Sequence, residues 1–299
     1  MSKPKILTIV GPTASGKTSL SIHLAQQFGG EVVSADSRQV YRGLDLGTGK
    51  VTKEEMQGVS HHLLDVADPR ERYTVADFVR DGRTAISEIL ARQNLPIIAG
   101  GTFFYVDALL GKISTPEVEP NEVLRTHLET LSTDALFELL RENDPERAET
   151  IDKNNRRRLI RALEIVEAIG TVPVIEQDEP YINLTLGILI SKEKLLKNIH
   201  TRLMRRIDLG MIDEVRNLHG DGVTYERLED LGLEYRYIAE YLQEKISKEE
   251  MMQLIETKSW QYAKRQITWL KRNANIAWVN PNELGEIENI VDRFLISNS

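Results

Sequence analysis

Residues 6–18 read ILTIVGPTASGKT and combine a short apolar run with a glycine-rich turn. The run predicts a buried strand, and the helical spacing of Leu20, Leu24 and Phe28 predicts a helix after the turn. The turn fits the pattern G-x-x-x-x-G-K-[ST], whose backbone N–H groups cradle phosphate oxygens at a helix N-terminus. We therefore predict a phosphate-binding loop formed by Gly11, Pro12, Thr13, Ala14, Ser15, Gly16, Lys17 and Thr18.

Two side chains of this loop carry its expected chemistry. Lys17 is expected to neutralise the terminal phosphate, and the Thr18 hydroxyl is expected to ligate Mg²⁺. A chance match in a glycine-rich turn is the alternative, but strand, turn and helix occur here in the required order. The loop by itself does not distinguish a nucleoside triphosphate from another diphosphate ester, so its ligand stays open at this point.

Strand-like and helix-like segments alternate along the first third of the chain. Residues 31–34 and 95–99 resemble buried strands, and residues 76–91 have a helical pattern that Gly82 interrupts. Strands that alternate with helices imply a parallel sheet covered on both faces. The predicted fold class is therefore α/β, with a P-loop NTPase-like core whose parallel sheet is flanked by helices.

The character of the sequence changes at about residue 116. Charge-rich, helix-forming sequence follows without a convincing strand, until residues 182–190 restore a strand pattern. The simplest interpretation is a helical insertion domain at residues 116–181. Residues 1–115 and 182–299 then form the core, and residues 191–299 read mostly as amphipathic helix.

Composition narrows the class of protein. Of the 299 residues, 41% are hydrophobic and 28% are charged, which is enough apolar sequence for a sizeable core. The absence of cysteine excludes disulfides, thiolate zinc sites and a cysteine nucleophile. The first five residues leave no room for a signal peptide, and no apolar run approaches the ~18 residues of a membrane span. We expect a cytoplasmic protein that does not associate with membranes.

The net charge of −8 argues against a nucleic-acid binder when it is taken as an average. Basic residues nevertheless cluster at 153–161, 202–206 and 258–272. Such clusters are typical of surfaces that bind a phosphate backbone. A solvated helix face is the commoner explanation for any single cluster, but it explains three clusters in a net-acidic protein less well.

A second motif, DSRQVYRGLD, occupies residues 36–45 after the second predicted strand. Groups at the carboxyl end of a parallel strand face the ligand crevice, so Asp36 is expected to project toward whatever the loop holds. A helix N-cap is the alternative role for an isolated aspartate in this position.

Together with the phosphate loop, this motif closely resembles the bacterial tRNA dimethylallyltransferases. The resemblance extends along almost the whole chain and is carried further by HHLLD at 61–65, GGT at 100–102, RALE at 161–164, GLEYR at 232–236 and AKRQITWLK at 263–271. It implies that residues 13–18 hold the diphosphate of dimethylallyl diphosphate and that Asp36 is the general base for the adenine N6 amino group. It also implies a second diphosphate contact at Arg202 and catalytically important tRNA contacts at Thr102 and Arg125.

The same resemblance implies further contacts to the tRNA anticodon stem-loop. These contacts are expected at Asp36, Ser37, Arg38, Gln39, Arg157, Arg158, Leu159, Ile160, Arg161, Lys264, Arg265, Gln266, Ile267, Thr268, Trp269, Leu270 and Lys271. The chain departs from the family pattern at Arg206, where methionine is usual, so Arg206 could share the role assigned to Arg202. We expect a monomer that uses Mg²⁺.

The residue types suit this chemistry. The exocyclic amine of adenine is a poor nucleophile, and a carboxylate within hydrogen-bond reach can position it and take its proton. Because the target atom is on a base edge, the nucleotide is expected to leave its stack and enter a pocket.

Two other functions share these motifs. A P-loop kinase for a small molecule would have the same loop, with the insertion as its lid. A nucleotide-gated RNA-binding module would bind RNA without transfer chemistry, but residues 95–99 lead into Gly-Gly-Thr, not the aspartate expected for Mg²⁺ in triphosphate hydrolysis. The pair His61-His62 invites a metal site, but adjacent side chains diverge and no third ligand recurs at zinc spacing, which favours a structural role.

Overall fold

Six parallel strands form one sheet in the computed structural model, which describes residues 3–113, 116, 118–173 and 179–297. The strands are β1 (Lys5–Val10), β2 (Gly30–Ala35), β3 (His61–His62), β4 (Leu95–Gly100), β5 (Ile182–Ile188) and β6 (Ile276–Val279). Their spatial order is β3-β2-β4-β1-β5-β6, so β1 lies in the interior of the sheet.

Helices connect and cover these strands. The helices of the described residues are α1 (Lys17–Phe28), α2 (Lys53–Met56), α3 (Val75–Ala91), α4 (Phe103–Leu109), α5 (Glu122–Leu128), α6 (Thr133–Asn143), α7 (Pro145–Thr150), α8 (Arg156–Ile169), α9 (Lys192–Asp208), α10 (Met211–Gly220), α11 (Tyr225–Leu231), α12 (Leu233–Leu242), α13 (Lys248–Leu270) and α14 (Leu284–Ile296).

Both faces of the sheet are buried because successive strand residues point to opposite sides. On one side Leu7 and Ile9 of β1 pack in a cluster with residues of α1 and α14. On the other side Ile6 packs with Phe78 of α3 and Leu109 of α4. The α/β fold class predicted from the sequence is confirmed, and its apolar strands are explained by burial on two faces.

Strand register brings three segments of the chain to one edge of the sheet. Val10 of β1 and Ala35 of β2 both lie opposite Gly100 of β4. The residues that follow these three strands therefore leave the sheet side by side. This edge carries the phosphate loop, the DSRQ segment and the GGT segment.

The chain divides into two compact units, residues 1–112 with 179–299 and residues 113–178. The smaller unit contains α5 to α8, which pack around leucines that include Leu128, Leu136 and Leu159. Side-chain caps at Asn121 and Ser132 start two of its helices. Residues 114, 115, 117 and 174–178, which fall at the predicted boundaries of the insertion, lie outside the described residues.

One local expectation was wrong. Helix α3 continues through Gly82 without interruption. An added Cβ at Gly82 would lie 3.0 Å from Cδ1 of Leu109, so the glycine lets α4 pack closely against α3. The segment 191–299 is mostly helical, as the sequence predicts, and also contains β6, a short edge strand that pairs with β5. In the described part of the chain, no helix has the length and apolarity that a membrane span requires.

Candidate active site

The phosphate loop holds its lysine against its own backbone. Lys17 Nζ donates hydrogen bonds to the carbonyl oxygens of Gly11 at 3.0 Å and Pro12 at 2.8 Å. Burial, followed by the nearby positive charge of Arg202, lowers the pKa of Lys17 to about 8. Gly16 starts α1 in the left-handed region with φ of 97°, which is why a glycine is needed there. The loop therefore contains a desolvated ammonium group beside free helix N–H groups.

Helix α9 adds a second cation to this loop. Arg202 donates a hydrogen bond to the Thr13 hydroxyl, and Asn198 Nδ2 donates to the Ala14 carbonyl at 2.9 Å. Burial, followed by the charge of Arg206, lowers the pKa of Arg202 to about 10. Two cations held in a desolvated loop repel one another, so an anion bound between them would relieve an electrostatic cost.

Ser15 gives an independent indication of a ligand at the loop. Its Oγ is buried and has no hydrogen-bond partner among the described residues. Buried polar atoms are normally satisfied, and an unsatisfied one in a phosphate loop fits a missing acceptor such as a phosphate oxygen. Thr18 is exposed at the first turn of α1, where its hydroxyl is accessible to a metal ion.

Asp36 lies directly after β2, at the same edge as the loop. Its Oδ1 accepts hydrogen bonds from the backbone N–H of Arg38 at 2.9 Å and of Gln39 at 3.4 Å, which fixes the direction of the carboxylate. The segment that follows is a turn, so the alternative of a helix N-cap does not apply. Ser37 and Arg38 are partly exposed there, whereas the Gln39 side chain accepts a hydrogen bond from the hydroxyl of Ser34.

Thr102 connects the DSRQ segment to the end of β4. Its hydroxyl accepts a hydrogen bond from the backbone N–H of Ser37 at 3.2 Å. Asp36 and Thr102 are thus held in adjacent segments, as the sequence predicts for two residues of one site. Their carboxylate and hydroxyl could contact the same bound group.

Helix α13 is fixed to this site by Gln266. The side-chain oxygen of Gln266 accepts a hydrogen bond from the Thr13 N–H at 2.8 Å, and its nitrogen donates to the Gly101 carbonyl at 2.9 Å. A Cβ at Gly101 would lie 2.4 Å from Nε2 of Gln266, so a side chain there would displace the Gln266 amide. A second contact fixes the same helix: Trp269 stacks on Phe103 of α4 with ring centroids 4.5 Å apart.

Several residues of the segment 264–271 are exposed and several are not. Gln266 and Leu270 are buried, and Ile267 packs partly in the cluster that includes Leu195, so these three side chains face the core. A helix that docks on the core must bury one face, and the tRNA contacts predicted for these three residues stay predictions. A surface depression on the opposite face is lined by Gln261, Lys264, Arg265, Thr268, Trp269 and Arg272. Lys271 is also exposed.

Two predicted site arginines of the smaller unit, Arg125 and Arg161, bond within that unit. Arg125 forms an ion pair with Glu164, whose side chain is fully buried, with Nε and Oε1 2.7 Å apart. Arg161 also contacts Glu164 and donates to the Val118 carbonyl at 2.7 Å. A catalytic contact of Arg125 and a tRNA contact of Arg161 were expected, but in this structure both guanidinium groups stabilise the unit.

The remaining predicted residues of this unit divide by burial. Leu159 and Ile160 lie in its apolar cluster, so their side chains are unavailable to a macromolecular partner. Arg157 and Arg158 are exposed at the N-terminus of α8. The predicted tRNA contact in this unit therefore depends on these two arginines.

Sequence reasoning missed the groups that hold the loop after the DSRQ segment. The Glu214 carboxylate accepts hydrogen bonds from the backbone N–H groups of Asp45 (3.1 Å), Leu46 (2.6 Å) and Gly47 (3.0 Å). The Tyr235 hydroxyl donates to the same carboxylate at 2.8 Å. No local sequence pattern predicts a contact between residues so distant in sequence.

Arg206 also contacts this loop, but its buried Nη2 has no hydrogen-bond partner among the described residues, so a share in the role of Arg202 stays a prediction. Arg206 Nη1 lies 3.3 Å from both the Gly47 carbonyl and the Glu234 carboxylate, and the side chain is buried. Lys50, similarly buried, bonds to the Asp45 and Asp65 carboxylates. Both cations stabilise the loop.

The adjacent histidines are structural. His62 pairs with Glu31 at 2.7 Å and His61 contacts the Val59 carbonyl at 3.0 Å. In the described residues, no group of three side chains suited to holding a metal ion was found.

Comparisons with known proteins agree with this geometry. A family model described as IPP transferase matches residues 39–273, and a model described as isopentenyl transferase matches residues 4–71. The chain is 42% identical to the tRNA dimethylallyltransferase of Thermomicrobium roseum over 98% of its length and 92% of that protein. It belongs to the IPP transferase family.

Solved structures of this family have the same fold. The full-length tRNA isopentenylpyrophosphate transferase of Bacillus halodurans is 37% identical and superposes with a TM-score of 0.74, covering 97% of this chain and 96% of that one. A eukaryotic dimethylallyltransferase acting on tRNA is 28% identical and superposes with a TM-score of 0.77, covering 98% of this chain and 78% of that one. Membership of the IPP transferase family makes the chain a transferase and favours prenyl transfer over the kinase alternative.

Proposed function

We propose that this IPP transferase moves a dimethylallyl group from dimethylallyl diphosphate to the N6 amino group of the adenosine 3′-adjacent to the anticodon in tRNA, with release of diphosphate. The observation that carries the proposal is one edge of the sheet, where Asp36 follows β2 beside the loop that contains Lys17 and that Arg202 of α9 contacts. A carboxylate suits the amine of the acceptor, and two desolvated cations suit the leaving diphosphate.

In the proposed reaction the allylic carbon–oxygen bond of the donor breaks and a bond from that carbon to N6 of adenine forms. The proton of the amine passes to the Asp36 carboxylate, whose orientation the turn N–H groups fix. The charge that develops on the diphosphate is stabilised by Lys17, by Arg202 and by the N–H groups at the start of α1. Thr102 helps to place the acceptor beside Asp36.

Magnesium fits the residues of the loop. The unsatisfied Ser15 Oγ and the exposed Thr18 hydroxyl are oxygen donors beside a loop shaped for phosphate, and Mg²⁺ prefers oxygen ligands and substrate phosphates. Thr18 and the diphosphate would hold the ion, which would supply further charge neutralisation.

Exposed basic residues support tRNA as the acceptor. Arg157 and Arg158 on α8, and Lys264, Arg265 and Lys271 on or next to α13, are the predicted contacts whose charges face solvent. We propose that they bind phosphates of the anticodon stem-loop. The enzyme would act as a monomer in the cytoplasm.

The test uses purified protein, Mg²⁺ and an unmodified tRNA transcript. Labelled dimethylallyl diphosphate is supplied in one tube and labelled ATP in a parallel tube. We expect label on adenosine in the first tube and no transfer of phosphate in the second. Phosphate transfer from ATP to a small acceptor, without prenyl transfer, would identify a kinase; tRNA binding with neither activity would identify a binding module.

A further inference from the structure

One buried side chain of α13 bonds to both halves of the candidate active site. Gln266 is only 4% exposed, and its amide lies between the phosphate loop and the end of β4. Its Oε1 accepts a hydrogen bond from the Thr13 N–H at 2.8 Å, and its Nε2 donates to the Gly101 carbonyl at 2.9 Å. Both partners are backbone groups, so the amide holds the chain itself at these two points.

The first of these points belongs to the half of the site that is proposed to bind the donor. Thr13 is also held from α9, because Arg202 donates a hydrogen bond to its hydroxyl. The amide lies close to Lys17 as well, since a Cβ added to Gly101 would be 2.4 Å from Gln266 Nε2 and 3.7 Å from Lys17 Nζ. Gln266 therefore contacts the loop among the groups proposed to bind the diphosphate.

The second point belongs to the half that is proposed to bind the acceptor. Gly101 precedes Thr102, whose hydroxyl accepts a hydrogen bond from the Ser37 N–H at 3.2 Å. Ser37 in turn follows Asp36, the carboxylate proposed to take the proton of the amine. Covalent and hydrogen bonds thus connect the loop, through Gln266, to the residue beside the proposed general base.

The sheet does not fix the spacing of these two segments by itself. The pairing of β1 with β4 ends at Val10 and Gly100, where both segments leave the strands. Thr13 and Gly101 lie just past that end, and the amide of Gln266 supplies one hydrogen bond to each of them. The side chain therefore connects the two segments where the strand pairing stops.

We propose that Gln266 is a positioning residue that sets the spacing between the bound diphosphate and the general base. The inference rests on the proposed function, because it concerns the alignment of the two substrates of that reaction. Transfer requires the allylic carbon to approach the N6 amine closely, and a displacement of about 1 Å can slow such a reaction about 100-fold. Gln266 acts through the backbone of Thr13 and Gly101, and the reacting atoms are handled by other groups.

Two substitutions test this role in single-turnover reactions with saturating donor and tRNA. Gln266→Met keeps the length of the side chain and removes both hydrogen bonds, and we expect the rate constant to fall about 100-fold. Gln266→Asn keeps the amide but spans a shorter distance, so it can bond to only one segment, and we expect a fall of about tenfold. Gln253→Met is the matched control, because Gln253 is exposed on the same helix, and it should react at the wild-type rate.

Equilibrium binding separates the positioning of two substrates from the support of one. Inorganic pyrophosphate with Mg²⁺ probes the loop, and an unmodified anticodon stem-loop without donor probes the acceptor side. For Gln266→Met we expect both dissociation constants to stay within about twofold of wild type, because an alignment that matters only in the transition state changes the rate and not the affinity. A residue that only stabilises the fold would not separate the two quantities in this way.

Three results would overturn the proposal. An unchanged rate constant in Gln266→Met is the first. The second is a dissociation constant for pyrophosphate or for the stem-loop that rises in proportion to the loss of rate, because Gln266 would then serve that half of the site alone. The third is a loss of both affinities together with a fall in the thermal midpoint, which would make Gln266 a structural support of α13.

The wild-type reaction beside the variants tests the proposed function separately. No prenyl transfer by the wild type would refute that function and the positioning role with it. Transfer by the wild type and by Gln266→Met at the same rate would refute the positioning role alone.

Discussion

Arginines and lysines have opposite uses in the phosphate loop and in the smaller unit. Near the loop, Lys17 and Arg202 bond to backbone or hydroxyl oxygens, and neither has a carboxylate within ion-pair distance among the described residues. In the smaller unit, Arg125 and Arg161 share the buried Glu164. The difference teaches that the partner of a cation, more than its place in a basic cluster, indicates whether it serves a ligand or the fold.

Removing Lys17 should have the largest effect and should separate function from stability. We expect Lys17→Met to lower kcat/KM for dimethylallyl diphosphate about 1,000-fold, because charge stabilisation of a leaving group in a desolvated site is worth several kcal/mol. The thermal midpoint should stay the same or rise, since the variant removes a buried charge that has no ion-pair partner. A marked fall in the thermal midpoint would mean that Lys17 stabilises the fold. The contrast between the cations of the loop and those of the smaller unit would then be wrong.

Exposed and ion-paired arginines of the smaller unit should differ in their effect on the salt dependence of tRNA binding. Arg157→Ala with Arg158→Ala should weaken tRNA binding about tenfold at physiological salt and reduce the slope of log K against log salt by about 1 to 2, because two phosphate contacts are lost. The matched variant Arg125→Met should leave the slope unchanged and lower the free energy of unfolding by about 3 kcal/mol, because it leaves Glu164 without its main partner. Reversed results would exchange the two roles.

A third expected effect is a pH dependence of donor binding that depends on the phosphate loop. The diphosphate binds the protonated form of Lys17, whose pKa is lowered to about 8 in the folded protein. The KM for the donor should therefore rise about tenfold per unit as the pH increases above 8.

The same lowered pKa sets the sign of a stability change. Between pH 8 and about 10.5 the unfolded chain binds more protons than the folded one, so the contribution of Lys17 to stability rises with pH in that window. Lys17→Met should abolish both dependences, and a donor KM that still rises in that variant would assign the titration to another group.

Local patterns predicted the parts of the molecule that local physics determines. The phosphate loop, strands β1, β2, β4 and β5 and the position of Asp36 follow from glycine spacing, apolar runs and the rule for strand ends. The uninterrupted helix at Gly82 was not predicted, because the glycine accommodates a close contact with Leu109, which is distant in sequence. Strand β6 was missed because four residues at a sheet edge, with Trp278 partly exposed, carry little pattern of their own.

The residues of the candidate active site were also only partly predictable from local sequence patterns. The motif around residues 264–271 identified the correct helix, but only its packing divides exposed Lys264 from buried Gln266. Arg125 and Arg161 look like any basic cluster until Glu164 is seen between them. The role of Glu214 could not be predicted from the sequence, because it depends on backbone N–H groups more than 160 residues away.

The two hydrogen bonds of the Gln266 amide limit the substitutions that position 266 tolerates. Its oxygen accepts from Thr13 and its nitrogen donates to Gly101, so the position requires an acceptor and a donor on neighbouring atoms at the end of a four-atom reach. Glutamate lacks the donor, lysine lacks the acceptor, and asparagine is one methylene too short. Each of these replacements would leave a buried backbone group unsatisfied, so a library of variants at position 266 should return glutamine almost alone.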